Sequence, residues 1–516
     1  MTRPTSSPGP AALPLARLVV PASAAVAVAA RLPFLHGALA PDEAGFLLVG
    51  QQWRPGGTAL YGSYWVDRPP LLVTLFRLAS DLGGGVPLRL MGCLATAIVV
   101  LGCAHVALTI AGHRAAAWAA AMAAGLCVSP LMGGLAVNGE LLAAPFVVAG
   151  VAAMLTAVHE RREGRAAMAA ALAGAATVAA LLVKQNMADV GVFAAVVLLV
   201  GWRRGEVSGR RLRTATGSYV AGAVLALAVT AVWTMLHGTS LAGVYDAMYP
   251  FRIQAGRLMA SAGHHRHATA RLWALLDSWV VSGGGIVMAA VVWALATRRI
   301  GGTVVWALVA TVTFDVLSVA LGGNYWHHYL IQLVVPIAVL SGLLVARHQP
   351  AMRTILVSSL VVAAFSWAGT LTGPGTSTAS TDGRAIGAVA RTGDTIVTAF
   401  GHADLTQASG LRSPYPYLWS LPALTLDPHL TTLDSVLTGP HAPTWFVGLG
   451  YLRALGPAGR TTDRVLHADY HLVADLHGRS VYLRNGVTRP IPEEPGTDSA
   501  DVAARSTTSF PNQEKP

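Results

Sequence analysis

The chain has 516 residues, 53% of them hydrophobic and only 12% charged, whereas a soluble domain carries about a quarter charged residues. This composition excludes an ordinary soluble enzyme and points to a polytopic membrane protein. A net charge of +11 is no sign of nucleic-acid binding, because the arginines sit in short connections between apolar stretches rather than on one basic domain.

The first apolar run, 13–33, is too long for a cleaved signal and leads into an acidic loop, so an uncleaved first span is expected. Further runs of crossing length fall at 88–110, 114–133, 139–158, 166–183, 187–202, 215–236, 271–297, 301–320, 328–346 and 352–371. They predict about 11 transmembrane helices, each needing ~20 apolar residues. Arg3, Arg17, Arg114, Arg161, Arg162, Arg203 and Arg204 fall in connections of one side, which the positive-inside rule makes cytoplasmic. The N-terminus is then cytoplasmic, and the long loops 34–87 and 237–270 and the C-terminus lie outside. Within the first external loop, 69–82 alternates apolar and polar positions at helical spacing and reads as an interfacial helix. Cys93, Cys103 and Cys127 all lie inside apolar runs, which excludes a disulfide framework or a cysteine metal site.

From about residue 375 the composition becomes that of a soluble domain. A helix is expected over 380–391, strands at 393–401 and 444–448, and a closing hairpin over 471–484 centred on His477-Gly478. The expected organisation is a transmembrane domain over 1–374, a small extracytoplasmic α/β domain over 375–486 and a disordered tail over 487–516, rich in Pro, Glu, Ser and Thr.

Chemistry-bearing residues gather in the predicted external connections. Asp42 and Glu43 follow the first span directly, and either supplies a base for an acceptor hydroxyl. The same loop carries Tyr61 and Tyr64 and closes on Asp67-Arg68-Pro69-Pro70-Leu71. Carboxylates, a guanidinium and aromatics at a membrane surface are the parts needed to handle a sugar on a lipid phosphate. Glu140, after Asn138-Gly139, has four readings: acceptor assistance, metal binding, pairing with an arginine, or a carboxylate favoured by the start of a helix. Lys184 at an outer turn either neutralises a phosphate or reaches the interface. In the 237–270 loop, Arg252 and Arg257 are phosphate candidates, whereas His264-His265-Arg266-His267 reads as a flexible basic stretch rather than a metal site. Asn324, Tyr325, His327, His328 and Gln332 open the tenth span, and the aromatic belt does not account for the histidines and amides among them. His328 and Gln332, four residues apart, are expected on one helix face. Asp315, mid-span, should face the protein interior.

Asp42-Glu43 after the first span and Arg68-Pro69-Pro70-Leu71 at the loop's end resemble the first external loop of the GT-C glycosyltransferases, in the branch of protein O-mannosyltransferases and the lipid A aminoarabinose transferase. The alanine- and arginine-rich, lysine-poor usage is that of GC-rich actinobacterial genomes. The resemblance implies that Asp42 is the principal catalytic carboxylate and that Arg68 contacts the donor phosphate, for which a guanidinium offers two parallel hydrogen bonds. Glu140 stands where the family carries a second acid. The lack of an Asp-x-Asp pattern there puts an obligatory divalent cation in doubt and leaves metal dependence open.

The resulting expectation is an inverting glycosyltransferase of the plasma membrane. It takes a sugar, most simply mannose, from a polyprenyl-phosphate donor to an acceptor hydroxyl on a secreted protein, a cell-wall glycan or lipid, or a peptide antibiotic. Its partners are the lipid-linked donor, the hydroxyl-bearing acceptor and membrane lipids, with no nucleic acid. Rival readings are an arabinosyl- or aminosugar-transferase on the same scaffold and a lipid-linked-sugar transporter or flippase.

Overall fold

The computed structural model describes residues 12–261, 265–347, 351–371, 377–448 and 452–494. The chain forms two compact units, one of Met1–Gly37, Phe46–Gly62 and Val66–Gly375, the other of Ala38–Gly45, Ser63–Trp65 and Thr376–Pro516. Two short pieces of the first loop, 38–45 and 63–65, thus fold with the C-terminal residues.

The first unit is helical. Eight helices among the described residues are long and apolar enough to cross a membrane. A ninth crossing would come from Ala268–Val281 and Gly284–Ala296, a pair bent by 71°. The other two of the eleven expected runs are helical as well, but shorter. The runs at 114–133 and 187–202 form helices of only 15 residues, His113–Cys127 and Asp189–Arg203. The first stops short of Pro130, which opens a separate turn of 3-10 helix, Pro130–Met132. The second begins only after the turn that carries Lys184.

Several helices keep apolar side chains on the outside, as lipid contact requires. Val220, Val224, Leu225, Val229 and Val232 on Gly209–Leu236 are exposed, as are Val357, Val361 and Phe365 on Ala351–Leu371. Where Glu163–Val183 meets Gly209–Leu236, a Cβ at Gly174 would strike the Tyr219 carbonyl and one at Gly222 the Ala171 carbonyl. Glycine at both positions lets the backbones touch, the usual device for helix association in lipid. The protein is a multi-pass helical membrane protein.

The first loop is more regular than its sequence suggests. Pro41–Gln52 is a helix, as is Pro70–Asp81, the latter burying Leu72, Val73, Phe76 and Ala79 at the spacing read from the sequence. The connection 237–270 contains the helices Leu241–Met248 and Pro250–Ser261. In the histidine run, His264 lies outside the described residues and His265 begins the helix His265–Val281, so the stretch is not simply a loop.

The second unit is built on four strands, β1 (Ile396–Ala399), β2 (Trp445–Gly448), β3 (Tyr470–Leu476) and β4 (Arg479–Arg484), in the order β1-β2-β4-β3. β1 and β2 are parallel, and β4 is antiparallel to both its neighbours. Successive side chains of β2 enter opposite cores: Trp445 and Val447 pack with Ile386 and Leu405, Phe446 with Tyr415, Leu433 and Leu466. Being covered on both faces, β2 reads as a continuous apolar run and β1 as one interrupted only by Thr398. The hairpin turns at His477-Gly478, both with positive φ (48° and 79°), and the helix before β1 is Thr378–Val389. The segment read as a tail lies outside the described residues from 495 onward.

Candidate functional site

In the first unit, three cations and two carboxylates meet. Asp67 bridges two arginines: its Oδ1 lies 2.8 Å from Arg68 Nη1 and its Oδ2 2.8 Å from Arg252 Nη2. The Tyr61 hydroxyl donates to the Arg68 carbonyl at 2.7 Å, and the Arg68 guanidinium lies 5.5 Å from the centre of the Phe46 ring. With its amide oxygen facing Arg252, Gln185 accepts from Nη2 at 3.1 Å and from Nε at 3.3 Å. Lys184 ends the helix Glu163–Val183, and its Nζ pairs with Glu140 Oε1 at 2.9 Å while lying 5.3 Å from the Tyr329 ring centre. Glu140 sits in the first turn of Gly139–His159, which Asn138 caps by accepting from the Leu141 N–H at 2.9 Å.

The cluster carries one positive charge in excess and is poorly hydrated. Burial pulls the Lys184 ammonium below its usual range; Glu140 opposes that shift, while Arg68 and Arg252 reinforce it. Burial likewise lowers Arg252, with Asp67 opposing and Arg68 reinforcing. An added anion would relieve this repulsion, and a phosphate matches both guanidinium forks.

The amide following Lys184 and Gln185 is tied down from behind. Asn186 Nδ2 donates to Gln332 Oε1 and to Ser318 Oγ, each at 2.9 Å, and Gln332 Nε2 donates to Asp315 Oδ1 at 2.8 Å. Asp315 is fully buried, on the protein interior as expected, and Gln332 is 1% exposed. Gln332 therefore supports the Lys184–Asn186 turn rather than meeting a ligand directly. Nor do His328 and Gln332 share a face. His327–Leu333 is 3-10 helix, in which positions three apart eclipse, so Tyr329 and Gln332 align instead. Tyr329 accordingly meets Lys184, while His328 packs edge-on to it with ring centres 5.1 Å apart.

The other aromatic and basic candidates stand apart from this cluster. Tyr325 takes a left-handed backbone, φ 52°, and turns its hydroxyl to the Ala320 carbonyl. His327 and Arg257 are exposed. Among the described residues, Asn324, Tyr325, His327 and Arg257 make no hydrogen bond to the cation cluster. Tyr61 is fully buried, and burial followed by the nearby Asp67 raises its phenol above the ordinary range. It holds the loop and is not available to a substrate.

The second unit contains the adjacent acids and separates their tasks. Glu43 is fully buried, and its Oε2 accepts from the Ala40 N–H at 2.9 Å, the side-chain half of a capping box on Pro41–Gln52. Asp42 is half-buried, and its Oδ1 accepts from the Trp419 indole N–H at 2.8 Å. Among the described residues its Oδ2 accepts no hydrogen bond. Tyr64 is buried too, accepting from the Ser413 N–H at 3.0 Å, and burial raises its phenol against the pull of that bond and of Arg412. It anchors the loop rather than a ligand. Sequence reasoning missed Asp67 as a bridge, Gln185, Tyr329 and Trp419. Asp67 and Gln185 were signalled only by standing next to Arg68 and Lys184; nothing in the sequence marks Trp419. Among the described residues no three His, Cys, Asp or Glu side chains gather as metal ligands.

No family model and no curated protein sequence matches the chain. Solved structures do. A crystal structure of ArnT from Cupriavidus metallidurans bound to undecaprenyl phosphate superposes with a TM-score of 0.60 at 14% identity, covering 92% of this chain and 98% of that one. The Archaeoglobus fulgidus oligosaccharyltransferase in complex with Zn and sulfate gives 0.55 at 12% identity over 90% of this chain and 73% of that one. The oligosaccharyltransferase AglB from the same organism, in complex with an inhibitory peptide and a dolichol-phosphate, gives 0.53 at 12% identity, covering 92% and 74%. At these identities the likeness speaks for the fold, and the chain has the fold of the GT-C membrane glycosyltransferases.

Proposed function

We propose that the protein transfers a sugar, mannose in the simplest case, from a polyprenyl-phosphate donor to an acceptor hydroxyl. The observation that carries this reading is the buried centre of Arg68, Arg252 and Lys184, in which Asp67 and Glu140 leave one positive charge unmatched. Such a centre suits the phosphate of a lipid carrier, and two structures of this fold are described with undecaprenyl phosphate and with a dolichol-phosphate.

In the proposed reaction Asp42 takes the proton of the acceptor hydroxyl as its oxygen attacks the anomeric carbon on the face opposite the phosphate. The C–O bond to the phosphate breaks, the electron pair leaves on the phosphate oxygen, and the anomeric configuration inverts. Arg68, Arg252 and Lys184 stabilise the departing phosphate, where negative charge grows. Glu140 keeps Lys184 in place, and Glu43 holds the helix that presents Asp42.

The orientation belongs to the same proposal: N-terminus cytoplasmic and Thr376–Pro516 outside the plasma membrane, as the distribution of arginines favours. An export-dependent reporter fused after residue 487 should be active, and activity of a cytoplasmic reporter there would overturn this orientation. The test of function incubates membranes with radiolabelled polyprenyl-phosphate-mannose. Label should move from lipid to a protein, glycan or peptide fraction. Transfer only from arabinose or aminosugar donors would correct the sugar. Label that binds or crosses the bilayer but never leaves its lipid would make the protein a transporter.

A further inference from the structure

The reading of Asp42 as the base raises the question of what holds its carboxylate. An aspartate in the first turn of a helix ordinarily serves the free N–H groups and positive pole of that helix. Asp42 instead gives its Oδ1 to the indole of Trp419, 377 residues away in sequence but within the same compact unit.

The contact is built from several independent points. Gly45, one turn beyond Asp42 on the same face of Pro41–Gln52, lies under the indole: a Cβ there would overlap the Trp419 ring and come within 3.1 Å of the Ala403 Cβ. The segment 413–419 that delivers the indole is pinned to the other piece of the first loop in this unit. The Ser413 N–H donates to the Tyr64 hydroxyl at 3.0 Å, the Trp65 N–H donates to the Pro416 carbonyl at 3.1 Å, and Tyr417 packs edge-on to Trp65. Ser413 Oγ accepts from the Tyr415 N–H at 3.1 Å and stiffens the segment itself. The donor is also chemically apt. A neutral N–H fixes one carboxylate oxygen without neutralising its charge, as a lysine or arginine would, and Oδ2 is left for the acceptor hydroxyl.

We propose that Trp419, delivered by the 413–419 segment of the same unit, is the positioning residue of Asp42. The proposal rests on Asp42 being the base. Other titratable groups in this neighbourhood are Glu43 on the same helix, which caps Ala40, and His402, next to the Ala403 that meets Gly45. Trp419→Phe keeps the ring against Gly45 and removes only the N–H.

The test uses the full-length protein in nanodiscs, labelled with ¹⁵N-tryptophan, so that the Trp419 indole signal is identified by its loss in Trp419→Phe. That signal should move with pH in the wild type and stop titrating in Asp42→Asn. An indole signal indifferent to both pH and Asp42→Asn overturns the proposal whatever the substrate proves to be. Initial rates with undecaprenyl-phosphate-mannose give the second readout. Trp419→Phe should lower kcat roughly tenfold or more, the weight of a hydrogen bond to a charged group, with the donor KM unchanged. A wild-type kcat in Trp419→Phe, beside an inactive Asp42→Asn, refutes the positioning role and leaves the base in place. An active Asp42→Asn refutes the base itself.

Discussion

The cation centre of the first unit and the acid of the second handle charge in opposite ways. Arg68, Arg252 and Lys184 are held by Asp67 and Glu140, with side chains between 1% and 32% exposed across the five groups. Asp42 has a single neutral donor on one oxygen. A binding site for an anion must keep like charges together before the ligand arrives, which demands internal counter-charges. A base must stay short of partners, because each donor or cation on the carboxylate makes it a weaker proton acceptor.

The sharpest way to break this contrast is at the two neighbouring acids. Asp42→Asn should reduce turnover by about 10²–10⁴-fold, the usual contribution of a general base, whereas Glu43→Gln, which can still cap Ala40, should keep most of it. Rates of the two purified variants decide the matter, and equal losses would erase the division of labour between them. Next comes the buried pair: Glu140→Ala strands Lys184 in a poorly hydrated site and should cost about 3–5 kcal/mol of stability. The melting temperature in detergent should therefore fall, and adding phosphate or lipid phosphate should restore part of the loss. Arg68→Ala should weaken binding of the polyprenyl-phosphate donor at least about tenfold with little change in acceptor affinity, as titration of each substrate would reveal. Equal weakening of both would mean that the loop had collapsed.

The smallest effect lies in the second unit, far down the pH scale. Burial works against ionisation of Asp394, but hydrogen bonds from Arg489 and the Arg391 N–H outweigh it and hold the carboxyl below its usual value. Asp404 is lowered likewise: burial opposes ionisation, and His402 and Ser377 prevail. Because the folded values are depressed, this stabilisation is complete above the ordinary carboxylate value and is lost as pH falls through the folded ones. Unfolding of the C-terminal unit should become easier below about pH 4. Arg489→Ala should flatten that acid dependence while lowering stability at neutral pH, as circular dichroism melts would record.

Much of the architecture was legible because lipid and a doubly covered sheet both write themselves as apolar runs. The strands at 396–399 and 445–448 and the hairpin at His477-Gly478 are where the sequence puts them. Hydropathy reports a cost of transfer, however, and not where a helix breaks, so the shortness of His113–Cys127 and Asp189–Arg203, 15 residues each, was not legible. The helix Pro41–Gln52 hid behind Gly45 and Gly50, which look like loop residues and are in fact points of close contact. At the candidate site, single charges beside spans could be picked out, as with Arg68 and Lys184. Their partners could not, since Arg252 reaches Asp67 and Gln332 reaches Asn186 only through the tertiary fold. The helical period also misled at His328 and Gln332, because nothing local distinguishes a 3-10 turn from an α-helical one there.

Gly45 carries a consequence for mutational surveys of this chain. It has no functional group, touches no proposed substrate and belongs to no recognised motif, yet every larger side chain must displace an aromatic ring whose place is already fixed. A saturation scan should therefore score position 45 as intolerant as the acid one turn before it, and for a reason that a census of reactive residues would never reveal.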